Sequence, residues 1–202
     1  MSTFYDRIKN ILQRESDAIR KIPVNDSYIK AVELIYRQVH ERNGKLIASG
    51  MGKAGQIAIN IATTFSSTGT PAIFLHPSDA QHGDLGVIQE EDVLLLVSNS
   101  GKTREILELF QLSRNLYDSL PVIILTGNSE SPLGNLANVI ITTGLPDEVC
   151  PLGLTPTTST TVMTVIGDVL VVLMMEKIGF SVEDYAKRHH GGYLGYKSRI
   201  AK

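Results

Sequence analysis

The chain has 202 residues, with 19 Lys and Arg against 21 Asp and Glu for a formal net charge of −2, and 43% of it is hydrophobic. That length and apolar share suit one large domain with its own core, and the charge balance excludes a strongly basic face for nucleic acid. Cys150 is the one cysteine, which excludes an intrachain disulfide; with a polar start, Met1-Ser2-Thr3-Phe4-Tyr5-Asp6-Arg7, in place of a signal peptide, it predicts a cytoplasmic protein.

Residues 3–22 place Phe4, Ile8, Ile11, Leu12 and Ile19 on one helical face, and Pro23 stops that helix. Asn25 or Asp26 can cap a second helix, with Ile29, Val32, Ile35, Tyr36 and Val39 facing inward and Gly44 ending it. From residue 45 the texture changes to strand–turn–helix units. Residues 45–49, 72–75, 93–97, 122–125 and 139–141 read as five short strands, and a helix carrying Ile57, Ile61 and Phe65 follows the first. A Ser/Thr-rich start at Thr155 leads into a long apolar helix ending at Gly179. Its most apolar part, residues 162–175, contains Asp168 and is shorter than the roughly 20 residues of a membrane span, so a buried helix and no membrane partner are expected. Ser181 caps a short helix through Lys187 and Arg188, and Gly191-Gly192 breaks it before a basic tail of Lys197, Arg199 and Lys202. The expected organisation is one domain over 1–202, with N-terminal helices in 1–43 and an α/β core with C-terminal helices in 44–202.

Strands alternating with helical patterns predict an α/β three-layer sandwich, a parallel sheet with right-handed crossovers and helices on both faces. With five strands the expected order is 2-1-3-4-5, flavodoxin-like, and ligands in such sheets bind where the chain reverses between strands one and three. Two loops land there. Ser98-Asn99-Ser100-Gly101-Lys102-Thr103-Arg104-Glu105 follows the apolar run Val93-Leu94-Leu95-Leu96-Val97 and precedes Ile106, Leu107, Leu109, Phe110 and Leu112 at helical spacing. Hydroxyls, a lysine and free helix-start N–H groups favour an anion, so this is a candidate phosphate seat; alone it could be a helix cap by Ser100 or Thr103.

The second loop, Gly50-Met51-Gly52-Lys53-Ala54-Gly55, matches the glycine fingerprint of a dinucleotide site. That reading wants an acidic residue closing the second strand, where Phe74-Leu75-His76-Pro77 stands instead, and Lys53 suits a compact phosphosugar better. A Walker loop is excluded by Ile47 and Ala54 at its required positions. After strand two, His76, Asp79 and His82 have the composition of a metal site without its tight spacing, and His82 alone can carry a proton or hold a sugar. Glu148 precedes the loop Val149-Cys150-Pro151-Leu152-Gly153-Leu154, where desolvation would raise its pKa toward that of a general base. Cys150 reads as a small buried apolar residue. Ser159, Thr160 and Thr161 add hydroxyls at a helix start or simply cap it, and His189-His190 place two imidazoles at a helix end.

Together these loops resemble the sugar isomerase (SIS) domain family, specifically its arabinose-5-phosphate isomerases. The pieces that carry the resemblance are the loop of residues 50–55, Thr63-Thr64-Phe65-Ser66-Ser67-Thr68-Gly69-Thr70-Pro71, His82-Gly83-Asp84-Leu85-Gly86, Ser98-Asn99-Ser100-Gly101, Cys150-Pro151-Leu152-Gly153-Leu154 and Gly191-Gly192. The match runs roughly over residues 45–196. The resemblance implies interconversion of D-ribulose 5-phosphate and D-arabinose 5-phosphate for synthesis of 3-deoxy-D-manno-octulosonate, with no cofactor and no required metal. It places functional positions on Lys53, His82, Glu105, Glu148 and His189, and the phosphate seat on Ser98, Ser100 and Thr103; Ser49, Gly50, Gly52 and Asn99 complete the expected substrate-binding set. It also implies a homotetramer in which neighbouring subunits help complete each site.

Three departures stand out. Lys102 occupies a position that is acidic in many relatives, and His190 replaces a proline common after the histidine. The chain stops at Lys202, where relatives usually continue into CBS repeats, so feedback control is expected on the isomerase domain itself, for example by a CMP-activated sugar acid near Lys53, His82 and His189. In the expected mechanism Glu148 is the base, His189 assists ring opening or oxygen protonation, Lys53 stabilises negative charge, and Glu105 and His82 orient the sugar. The alternatives are an isomerase of another phosphosugar, such as a hexulose 6-phosphate, and a non-catalytic phosphosugar- or nucleotide-sugar-binding regulator.

Overall fold

The computed structural model describes residues 3–200. Five strands, β1 (Leu46–Gly50), β2 (Ala72–Phe74), β3 (Val93–Val97), β4 (Val122–Thr126) and β5 (Val139–Thr142), form one sheet in the order β2-β1-β3-β4-β5 with every pairing parallel. The strands are short and almost wholly buried because both faces are covered. Side chains alternate across the sheet. Leu46, Ala48, Val93, Leu95, Val97, Ile123 and Leu125 face α2 (Ser27–Tyr36), α3 (Gly52–Ser67) and α6 (Thr158–Ile178). Ile47, Leu94, Leu96, Val122 and Ile124 face α5 (Arg104–Leu116) and the short α4 (Pro77–Ala80). Each fully buried Leu or Ile contributes about 2 kcal/mol, so this double-sided core carries the stability.

The helices are where the fold departs from expectation. The second helix gives way to a wide π turn at Arg37–Glu41; the left-handed residue near its end is Asn43 (φ 63°), while at Gly44 a β-carbon would lie 2.0 Å from the Glu91 carbonyl oxygen. Ile29 points outward, 62% exposed, and Tyr28 takes the buried place beside Val32 and Ile35. Within the described residues α1 (Phe4–Arg20) buries no side chain fully, so Phe4, Ile8, Ile11 and Leu12 add nothing to the core. Ser181 caps α7 (Val182–Arg188) in a reciprocal box with Asp184, as its spacing suggested. Beyond the Gly191-Gly192 break the chain forms a further helix, α8 (Gly192–Ile200), where only a tail was expected.

The apolar helix α6 runs for 21 residues, inside the stretch from Thr155 to Gly179 expected for it, and taken whole it is long and apolar enough to cross a membrane by length and composition. Length therefore does not separate α6 from a membrane span. Burial is the better guide: Val162, Met163, Ile166, Leu170, Val171 and Met174 are in the core, and Gly167 lets α3 approach so closely that a β-carbon there would sit 2.6 Å from Ile61 Cγ1.

Candidate active site

β1 and β3 stay paired to their carboxyl ends, Gly50 beside Val97, and the chain leaves them for opposite faces of the sheet, into α3 and α5; a cleft of about 710 Å³ opens beside those ends. The β1 turn depends on three glycines. At Gly50 a β-carbon would come within 2.8 Å of the Ala54 backbone, and at Gly55 within 2.6 Å of the Gly50 carbonyl oxygen, so these two allow the start of α3 to pack on the strand end. Gly52 takes φ +57°, a conformation that L side chains rarely adopt. This turn delivers Lys53, exposed in the cleft, its ammonium 3.5 Å from Gln56 Oε1.

The β3 turn is folded just as tightly. Gly101 (φ +61°) donates to the Ser98 carbonyl at 3.1 Å, and the Asn99 carbonyl accepts from Gly127 at 3.0 Å. Ser98 Oγ and Thr103 Oγ1 lie 2.9 Å apart, and Ser100 Oγ accepts from the Lys102 amide at 3.2 Å. Thr103 occupies the N-cap position of α5 without a side-chain cap bond, so the first amides of α5 keep their donors for another acceptor. The capping alternative for this stretch therefore fails, and Ser98, Asn99, Ser100, Lys102 and Thr103 all line the cleft.

Glu148 lines the same cleft from the loop after β5. Its Oε2 accepts from Thr157 N at 2.7 Å, Thr157 Oγ1 at 2.8 Å and Ser159 N at 3.3 Å, while Oε1 accepts no hydrogen bond among the described residues. Burial pushes its pKa up, but the hydrogen bonds from Ser159 and Thr157 together outweigh this and hold the carboxyl below the usual range. This reverses the expectation of a raised pKa, because the carboxylate sits on the N-terminus of α6. Thr160 and Thr161 donate back to the Thr157 carbonyl at 2.7 and 3.2 Å, so their hydroxyls neither cap the helix nor stand free of the fold. Cys150 is half-exposed, not buried; burial raises its thiol pKa, but the Thr155 and Leu154 amides near Sγ lower it more.

Other expected positions lie outside the cleft lining of the single chain. Ser49 is fully buried and donates to the Leu75 carbonyl at 2.6 Å, which ties β1 to the end of β2. Gly50 and Gly52 shape the backbone. Glu105 is half-buried in the first turn of α5. His82 is exposed between α4 and a short 3-10 turn, and His189 stacks on Tyr185 at 3.7 Å with Nδ1 3.0 Å from the Tyr185 carbonyl. His76 Nδ1 is 3.8 Å from Asp79 Oδ2, and no group of three ligating side chains forms among the described residues. Sequence reasoning missed Asn128 and the strained Leu145 (φ 50°), both in the cleft wall. The position of Asn128 just past β4, a third carboxyl-end loop, was the available signal.

Residues 38–173 match the family model described as SIS domain. The chain belongs to the SIS domain family. An arabinose 5-phosphate isomerase KdsD of Yersinia pestis is 43% identical over 191 residues, which cover 94% of this chain and 56% of that protein. The chain thus spans about half the length of the curated relatives it matches. A Bacteroides fragilis NCTC 9343 structure, described as a candidate phosphosugar isomerase involved in capsule formation, is 62% identical with a TM-score of 0.93 and covers 95% of this chain and 100% of that one. An Escherichia coli CFT073 protein, solved in complex with arabinose 5-phosphate, is 30% identical with a TM-score of 0.85, over 93% of this chain and 98% of that one.

Proposed function

We propose that this SIS domain is an aldose–ketose isomerase that interconverts D-ribulose 5-phosphate and D-arabinose 5-phosphate through an enediol. The observation that carries this reading is that one cleft holds a group of hydroxyls and helix-start amides suited to phosphate, an exposed lysine, and a carboxylate with an open oxygen. The hydroxyls of Ser98, Ser100 and Thr103 and the first amides of α5 take the phosphate dianion. Glu148 removes a proton from C1 of the ketose while the C2 oxygen gains one. The same carboxyl then returns its proton to C2 as the O1 proton leaves and the C1 carbonyl forms. Lys53 stabilises the negative charge that develops on the oxygens. No cofactor enters this proton balance.

In this reading the domain spans 1–202 and works in the cytoplasm as a homotetramer, supplying 3-deoxy-D-manno-octulosonate synthesis. The exposed apolar stripe of α1 supports assembly. Neighbouring subunits bring Glu105, His82 and His189 toward the sugar, and mixing Glu148→Gln with His189→Ala subunits would then restore activity that neither has alone. The exposed Lys53 and Lys102 favour an acidic effector such as the CMP-activated sugar acid. Calorimetry showing no binding of that nucleotide sugar at millimolar concentration removes this part.

Proton NMR of several ketose phosphates in heavy water is the deciding assay. Deuterium entering C1 of ribulose 5-phosphate, with arabinose 5-phosphate formed, is the expected result. Exchange confined to a hexulose 6-phosphate changes the substrate, and binding without exchange on any sugar makes the domain a regulator.

A further inference from the structure

Glu15, Ser16 and Asp17, in the fourth turn of α1, are half-buried although Arg14 and most of the helix's apolar stripe lie in solvent. Glu15 Oε1 accepts from Thr158 Oγ1 at 3.0 Å, and Glu15 Oε2 is buried with no hydrogen-bond partner among the described residues. Such an oxygen is destabilising where it stands, so packing alone gives no reason for a carboxylate there. The Thr158 hydroxyl has one proton. Donating it to Glu15 turns the oxygen lone pairs to the Val149 amide, which donates to Thr158 Oγ1 at 3.1 Å. Arg14 Nη2 donates to the Glu148 carbonyl at 2.9 Å. The Glu148 carbonyl and the Val149 amide belong to one planar peptide unit. α1 therefore grips that plane from both sides, through Arg14 directly and through Glu15 by way of Thr158.

We infer that Arg14 and Glu15 are positioning residues that aim the Glu148 carboxylate into the cleft by locking the 148–149 peptide plane. The inference rests on Glu148 being the base. With the plane fixed, the carboxylate keeps its three donors on Thr157 and Ser159 and leaves Oε1 open. The charged groups around Glu148 are Arg14 and Glu15 from α1, Asp147 beside it, and Lys53 and Lys102 in the same cleft.

Steady-state kinetics across pH on the full chain tests this. Arg14→Ala and Glu15→Ala each lower kcat about tenfold, the worth of a hydrogen bond to a charged group, while KM stays within about twofold. The acid limb of kcat/KM moves to higher pH in both as Glu148 loses alignment with its donors. Glu15→Gln, whose carbonyl oxygen accepts the same bond, returns the limb and most of kcat. Should Glu15→Ala fail to fold, Thr158→Val removes the relaying hydroxyl and carries the same expectation. Unchanged kcat and acid limb in these variants overturn the inference, as does a loss that only tracks the folded fraction. Deuterium exchange retained by Glu148→Gln overturns the base reading instead, so the two failures are distinct.

Discussion

Both ends of the sheet open onto a cleft, about 710 Å³ at the carboxyl ends and about 820 Å³ at the amino ends, yet the polar groups at the two ends are used differently. At the amino end the buried groups beside the cleft are paired within the chain, while Lys30, Arg37, Glu41 and Glu90 of its lining make no side-chain hydrogen bond among the described residues. Asp92, fully buried, accepts from the Lys45 amide, the Lys45 ammonium and the Gln89 amide, each at 2.8 Å. Gln38 donates to the Glu91 carbonyl and Arg42 reaches the Glu91 carboxylate at 3.1 Å. At the carboxyl end Lys53, Asn99, Ser100 and Lys102 are exposed in the cleft, and Glu148 keeps one oxygen open. Cavity size does not separate the two. The carboxylates set away from solvent do: Asp92 has both oxygens occupied and stabilises the fold, whereas Glu148 keeps one oxygen available to a ligand.

Substitutions at the two ends of the sheet should have opposite signatures. The largest effect is expected for Glu148→Gln, which lowers kcat about a thousandfold, within the span of general base catalysis, while phosphosugar binding survives. The matching change at the other end, Asp92→Ala, destabilises by about 3 kcal/mol because it removes the counter-charge of Lys45 and leaves two amides without their acceptor. Urea denaturation reads that loss, and KM is expected to hold. Ser100→Ala is gentler: it raises KM for the sugar phosphate about tenfold with little change in melting temperature, since its one bond in the fold is from the exposed Lys102 amide, which water can serve instead. If Ser100→Ala destabilised the protein and left KM alone, the division between the two ends would be wrong.

The smallest effect belongs to His40, which lies 3.0 Å from Thr70 Oγ1 and stacks on Tyr36. Burial holds its pKa below the ordinary value, so the unfolded chain binds the proton more readily. The contribution of His40 is then fully present above about pH 6.5 and is lost as pH falls through the lowered folded value. His40→Gln should flatten stability against pH in that window. Glu148, lowered in the same direction, acts further down, with its contribution present above about pH 4.3 and lost below it.

Much of this was legible in the sequence for local reasons. Apolar runs such as Val93-Leu94-Leu95-Leu96-Val97 have one stable use at that length, a strand covered on both faces, and the alternation with helical patterns then fixes order and direction. Glycines at 50, 52, 55 and 101 marked turns that bring backbone donors to the switch point, so both cleft loops could be located from the residue pattern. Who partners whom was set in three dimensions. Ser49 and Thr160 carry the same hydroxyl chemistry as Ser100, but the first donates to Leu75 and the second to Thr157, contacts set by chain neighbours in space. Glu148 looked desolvated beside a proline-bound loop, yet the N-terminus of α6 supplies three donors and reverses its shift. Arg14 and Glu15 lie more than a hundred positions from the peptide they clamp, a separation across which no periodicity or spacing carries information. Local pattern sets the elements because it depends on neighbours along the chain; hydrogen-bond partnership and pKa depend on neighbours in space, and those exist once the chain has folded.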